Sequence, residues 1–177
     1  LINRYRILKN IPEKEIRQQV KKIAQNIANE YQNQEPVLIG VLNGVFIFLS
    51  DLVREISIPL KIDFVRLASY GSKNVSSGKI TLTKDIELSI KGKPVIIVED
   101  IIDTGLTLSY LVRHVKGREP ESVKICTLIN KLERREKEIG IDYWGFEIKE
   151  GFVVGYGLDY NEKFRYLPYI LSLEIKD

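Results

Sequence analysis

Residues Pro94 to Glu99 read PVIIVE, an unbroken run of Val and Ile that ends in acid. β-branched side chains favour extended backbone, and a strand without polar alternation has no face to offer water. Such a strand belongs in the middle of a sheet, covered by helices on both sides. The neighbouring segments agree. Pro36 to Leu42 is a second short apolar run, closed by Asn43-Gly44, and Val45 to Glu55 behind it reads as a helix. After a loop from Asp100 to Gly105, the stretch Leu106 to Lys116 puts Leu108, Leu111, Val112 and Val115 on one helical face, and Ser122 to Ile129 returns as a strand. Strand, helix, strand units of this kind are right-handed crossovers between parallel strands. The expected fold class is therefore α/β, a doubly wound, mainly parallel central sheet with flanking helices and a smaller carboxy-terminal attachment.

Two further segments extend the sheet and its cover. From Pro12 to Tyr31 the apolar residues Ile16, Val20, Ile23, Ile27 and Tyr31 recur at helical steps, with Glu13 and Glu15 placed to favour the helix amino terminus. From Leu60 to Ala68, Ile62, Phe64 and Arg66 alternate with Asp63, Val65 and Leu67, which predicts a strand. The polar stretch Ser69 to Lys79, SYGSKNVSSGK, has almost nothing to bury and is expected to be a mobile, lid-like loop leading to a strand over Ile80 to Ile86.

Length and charge narrow the function. A chain of 177 residues suits one domain with a sizeable core. Its 27 basic and 24 acidic side chains nearly cancel, which gives no support to a nucleic-acid coat or an anionic membrane surface but leaves an anionic small ligand open. Cys126, the single cysteine, lies in an apolar run and suits a buried thiol in a reducing compartment. No run reaches membrane-spanning length and no apolar secretory core follows Arg4 and Arg6, so a cytoplasmic location is expected. The chain contains no methionine, so residue 1 is not expected to be the native start.

The segment Val95 to Thr107, VIIVEDIIDTGLT, carries the chemistry. A buried strand here delivers Glu99, Asp100 and Asp103 to a Thr-Gly turn at the start of a helix. Unpaired N–H groups and a positive dipole at that helix end can hold a phosphate. Gly105 permits close backbone approach, and the hydroxyls of Thr104 and Thr107 add donors without charge. Neither a Walker loop nor a Gly-x-Gly-x-x-Gly turn is present. Acids beside a phosphate need another purpose: accepting sugar hydroxyls, binding a hard cation or taking a proton. An acid pair that merely caps the next helix is the plain structural alternative. Strand alternation would send Glu99 and Asp100 to opposite faces, so they converge on one ligand only if the chain has already left the strand.

VIIVEDIIDTGLT resembles the phosphoribosyl pyrophosphate (PRPP) binding signature of type I phosphoribosyltransferases. In detail the chain is similar to the bacterial hypoxanthine phosphoribosyltransferases over nearly its whole length, from VLIGVLNGVFIF through LASYGS to GFVVGYGLDYNEKFRYLPYI, in motif order and spacing. The resemblance implies a magnesium-dependent (Mg2+) enzyme of purine salvage. It would move 5-phosphoribosyl from PRPP to a 6-oxopurine base, hypoxanthine and also guanine, giving IMP or GMP and pyrophosphate. By the same resemblance, Glu99 and Asp100 hold the ribose hydroxyls and contribute to magnesium binding, with Asp159 as the second metal-side acid. Asp103 is the acid or base at purine N7, and Asp103, Thr104, Gly105, Leu106 and Thr107 cradle the 5′-phosphate. Leu42, Asn43 and Gly44 form the pyrophosphate loop, where backbone N–H groups face the leaving group and a strained peptide is usual, and Arg165 contacts pyrophosphate. Lys131 donates to the 6-oxo group and so rejects adenine; Phe152 stacks on the purine; Val153 and Asp159 lie along its edge. Ser69 and Tyr70 begin the flexible lid. The resemblance also implies a single domain over residues 1–177, with a hood formed mainly by residues of about 150–177 and the amino-terminal segment, and a homodimer or homotetramer.

This sequence departs from some relatives at Asn43, where they carry lysine, and at Val45, where they carry a second glycine. Taken singly, Phe152 reads as core and Lys131 as a solvated charge; the ordered set argues otherwise. A nucleotide-sensing RNA-binding regulator on the same fold is disfavoured by the base-site residues and the near-neutral charge. A phosphoacceptor receiver domain leaves the Thr-Gly turn unexplained. His114 has no assigned catalytic part.

Overall fold

The computed structural model describes residues 5–72 and 75–175. The amino-terminal half runs β1 (Tyr5–Ile11), α1 (Glu13–Glu30), β2 (Val37–Leu42), α2 (Phe46–Glu55), β3 (Lys61–Ser72) and β4 (Val75–Lys84). Then come β5 (Pro94–Ile102), α3 (Leu106–Lys116), β6 (Ser122–Lys131), β7 (Tyr143–Ile148), β8 (Phe152–Val154) and β9 (Ile170–Ile175). The main sheet has the order β4-β3-β2-β5-β6-β7. Its strands are parallel except for β4, which pairs antiparallel to β3 at one edge.

β5 takes the central place that its composition demands, between β2 and β6. Its residues alternate between two cores. Ile96 and Val98 pack with the buried stripe of α1 and α2, including Ile16, Val20, Ile23, Ile27, Phe48 and Leu52. Val95 and Ile97 face the other way, onto Leu108, Leu111 and Val115 of α3. Helices therefore cover both faces, which is the physical reason that the strand carries no polar positions until its end. Cys126 lies in the first core, fully buried, and the low dielectric around it pushes its thiol pKa well up.

A second sheet, β1-β9-β8, joins the two ends of the chain in antiparallel pairing. Its inner residues, Val154, Leu171 and Leu173, pack with Phe164 in a third cluster. Tyr156 ties it to the main body by donating its hydroxyl to Asp51 of α2 at 2.5 Å. Neither β1 nor the composite sheet is legible from local pattern, because its strands are short and their partners are distant in sequence.

The stretch expected to be an irregular loop from Ser69 is instead strand for most of its length. β3 continues to Ser72 and β4 begins at Val75, with Ser69 opposite Ile80, Tyr70 opposite Lys79 and Gly71 opposite Ser76. Ladder bonds use only backbone groups, so a polar sequence can extend a hairpin once its flanking strands are in register. The side chains of residues 69–79, and with them the expected lid roles of Ser69 and Tyr70, lie outside the described residues. Among the described residues, no helix is long and apolar enough to cross a membrane.

Candidate active site

β2 and β5 are the neighbours at which the strand order reverses, since β3 and β4 build outward from one and β6 and β7 from the other. In an open parallel sheet this switch point leaves a crevice at the carboxyl ends of the two strands. Here β2 and β5 stay paired only as far as Gly40 opposite Val98. Beyond that register the chains diverge around a cleft of about 280 Å³, lined by Leu42, Asn43, Gly44, Glu99, Asp100, Asp103, Thr104, Gly105 and Thr107, among others.

Both Glu99 and Asp100 line this cleft although β5 continues to Ile102. The expectation that they converge only after the strand has ended is corrected by a change of phase. Val98 and Ile101 pack toward the first core, whereas Ile97 and Ile102 belong to the second, so the alternation slips by one residue at 99–100. The carboxyl groups interact directly. Burial, then the charge of Asp100, raises the Glu99 pKa well above the carboxylate range; burial likewise raises Asp100, against the opposing influence of Arg165. Neither acid caps α3. Its first turn contains no acidic residue, and its N-cap is Gly105.

Gly105 has φ of 81°, a left-handed conformation that suits glycine, and a side chain there would press on the Lys137 carbonyl at 2.7 Å. The Thr104 hydroxyl accepts from the Leu106 N–H at 3.3 Å. Opposite this turn, the Leu42–Asn43 peptide bond is cis and Gly44 lies directly against the Asp100 carboxylate. Val45, in the helical region at φ −65°, serves as the N-cap of α2, so no second glycine is needed at that position.

Asp103 stands at the junction of the cleft and β6. Its Oδ1 is buried without a hydrogen-bond partner among the described residues. Lys131 Nζ lies 3.9 Å from Oδ1, and Arg134 Nη1 lies 3.4 Å from Oδ2. Lys131 is itself buried and pairs with Glu133 at 3.0 Å, so it is not the solvated surface charge that its sequence position alone suggests. The carboxy-terminal segment abuts the cleft rather than forming its walls: Gly157 lies directly against the Gly44 carbonyl, and Arg165 is near enough to act on Asp100. Phe152 and Val153 lie on β8, Phe152 half exposed with its ring 5.3 Å from that of Tyr160, Val153 buried. Arg165 pairs with Asp159 at 2.7 Å and donates to the Gly157 carbonyl at 2.8 Å, while Asp159 also accepts from the Glu162 N–H at 2.8 Å. Among the described residues, no three carboxylate, histidine or cysteine side chains gather as a ready metal cage, so Glu99, Asp100 and Asp159 are not one cluster. Arg165 neutralises Asp159, which removes the charge that would draw it toward a cation.

The model of the phosphoribosyl transferase domain matches residues 8–161 of the sequence. The chain belongs to the phosphoribosyl transferase domain family. Within the family it is 47% identical over 160 residues to the hypoxanthine-guanine phosphoribosyltransferase of Bacillus subtilis, covering 90% of this chain and 89% of that protein. It is 44% identical over 170 residues to the hypoxanthine phosphoribosyltransferase of Salmonella typhimurium, covering 94% and 95%. A crystal structure of a Bacillus anthracis hypoxanthine-guanine phosphoribosyltransferase superposes with a TM-score of 0.88 at 44% identity, covering 94% of this chain and 99% of that one. For a phosphoribosyl transferase domain, the cleft between β2 and β5 lies where the strand-order rule places a ligand.

Sequence reasoning missed two cations beside Asp103. Arg134 and Arg135 look like a surface charge run, and only their spacing of three and four residues beyond Lys131 hinted that they return to the same strand end.

Proposed function

We propose that this chain transfers 5-phosphoribosyl from PRPP to a 6-oxopurine, hypoxanthine and also guanine, in purine salvage. The observation that carries this reading is a single cleft holding a backbone loop at Leu42 to Gly44, two adjacent acids at Glu99 and Asp100, and the N terminus of α3 beside Asp103. The α3 end, with Thr104 to Thr107, suits the 5′-phosphate. Glu99 and Asp100 suit the ribose hydroxyls, and the N–H groups of Asn43 and Gly44 suit the diphosphate.

In the reaction, the bond from ribose C1′ to a pyrophosphate oxygen breaks and a bond from C1′ to the purine nitrogen forms, with positive charge developing on the sugar. Asp103 takes the purine N7 proton. Its unfilled, buried Oδ1 supports that role, since a buried acceptor without a partner gains most from a new donor. Lys131, held close by, donates to the 6-oxo group, where adenine offers an amino group instead. Phe152 and Val153 form the base platform on a hood made by the second sheet, and Arg165 closes on pyrophosphate.

The donor set fits magnesium: a hard cation takes one or two carboxylates and completes its shell with phosphate oxygens and water. Glu99 and Asp100 would hold it, Asp159 being paired with Arg165 instead, and it would neutralise the leaving diphosphate. To this proposal belong a single domain over residues 1–177, a homodimeric or homotetrameric assembly and a cytoplasmic location, to be checked by limited proteolysis, light scattering and cell fractionation.

The test is a spectrophotometric assay of the purified chain with PRPP and magnesium, offered hypoxanthine, guanine, xanthine and adenine separately. Turnover of hypoxanthine with release of pyrophosphate, and none of adenine, is expected. Absence of turnover with every 6-oxopurine would overturn the proposal.

A further inference from the structure

Arg135 lies at the fork where β5 and β6 part. The last paired residues of that ladder are Ile102 and Asn130, after which the two chains diverge, one into the Asp103 turn and the other toward Lys131 and the segment that follows. Strand ends leave carbonyls without ladder partners, and buried ones need donors. One guanidinium serves them from both sides. Its Nε donates to the Asp103 carbonyl at 3.0 Å, and the two hydrogens of its Nη2 are shared among the Ile102 carbonyl at 3.1 Å, the Lys131 carbonyl at 2.9 Å and Asn130 Oδ1 at 2.6 Å.

The backbone beside it reinforces the same junction. The N–H groups of Glu136 and Lys137 both donate to the Thr104 carbonyl at 3.0 Å, and the Lys137 carbonyl rests against Gly105. Residues 135–137 thus form a collar on the Asp103 to Gly105 turn. Arginine suits this place because its charge is permanent and its donors are fixed in a plane. An ammonium on a flexible stem cannot span four acceptors on two strands in one geometry.

From these contacts we infer that Arg135 is a positioning residue, setting the distance between Asp103 and Lys131 and so the geometry in which one purine is read at N7 and at the 6-oxo group together. The inference rests on the purine reading proposed above. Arg135 touches neither reacting atom. It acts through the carbonyls of Asp103 and Lys131, the residues whose side chains approach to 3.9 Å. Displacement of a catalytic group by about 1 Å can cost about 100-fold in rate, so a loosened fork should be visible in turnover of the base. The 5′-phosphate end begins at the same turn, but Thr104 and Gly105 are held there by the backbone of Glu136 and Lys137, contacts that do not use the Arg135 side chain.

The test compares wild type with Arg135→Lys and Arg135→Met, measuring KM for hypoxanthine, kcat, and the affinity for PRPP with magnesium by calorimetry. Arg135→Met is expected to lower kcat/KM for hypoxanthine by about 30-fold or more, the loss appearing in both parameters, with PRPP affinity within about threefold of wild type. Arg135→Lys, which keeps charge and stem and guards against a folding failure of the methionine variant, is expected to fall between them. Unchanged KM and kcat alongside a lowered melting temperature would overturn the inference and leave Arg135 a purely structural clamp. An equal loss of PRPP affinity would overturn it too, by assigning the clamp to the phosphate site. Failure of the wild-type chain to turn over any 6-oxopurine overturns the parent reading, and this one with it, before any variant is compared.

Discussion

Asp100 reaches from β5 to lie against the backbone of Gly44, so closely that no side chain fits at that position. This contact joins the two sides of the cleft, the acid pair and the loop after β2. Gly44→Ala would drive its methyl group into the Asp100 carboxylate and push apart the groups assigned to sugar and diphosphate. The expected outcome is a loss of about 10-fold or more in PRPP affinity, or about 1.4 kcal/mol. Calorimetric titration checks this, and circular dichroism should show the fold retained.

Asp103→Asn keeps the shape of the side chain and removes its capacity to take a proton. Turnover of hypoxanthine is expected to fall by about 100-fold to 10,000-fold, the range for loss of a general acid or base. PRPP affinity should stay near that of wild type. Steady-state rates paired with a binding measurement decide it; lost PRPP binding with normal turnover would reject the role.

Lys131 is buried beside Asp103 and Glu133, where a hydrogen bond to a ligand is sheltered from water. Lys131→Met removes the donor proposed for the 6-oxo group while keeping the stem. A charged hydrogen bond of about 1.5–3 kcal/mol corresponds to a rise of roughly 10-fold to 150-fold in KM for hypoxanthine. The measurement is a KM series for each base, with PRPP saturating.

Asp63 supports the sheet from outside the cleft. Burial would raise its pKa, but N–H groups of Leu88, Phe64 and Glu87, together with Lys84, outweigh burial and hold it below the ordinary value. A depressed folded-state pKa contributes stability that is full above the unfolded pKa of about 4 and is lost as pH falls through the lower folded value. Asp63→Ala would leave the Glu87 and Leu88 N–H groups without their acceptor, at a cost of about 2–3 kcal/mol at neutral pH. Urea unfolding followed from neutral pH down to about pH 3 should show the gap between variant and wild type narrowing as the medium becomes acidic.

The sequence by itself determined the sheet and its cover. The PVIIVE run could be satisfied only by a strand buried on both faces, and the stripes Ile16, Val20, Ile23, Ile27 and Leu108, Leu111, Val115 supplied that cover, because burial of apolar periodicity is a local and strong signal. The acids and the Thr-Gly turn were legible for the same reason, since they are contiguous. Tertiary structure decided the rest. The phase slip that turns both Glu99 and Asp100 into one cleft depends on where β2 stops pairing with β5. The hairpin through Ser69 and Tyr70 depends on ladder bonds that ignore side-chain type. The pairing of β1 with β9, the neutralisation of Asp159 by Arg165 and the clamp of Arg135 across two strand ends join residues by geometry rather than by spacing. Local periodicity reports which face of an element is buried, whereas a long-range polar contact has energy only once the folded chain has brought its partners together and excluded water from between them.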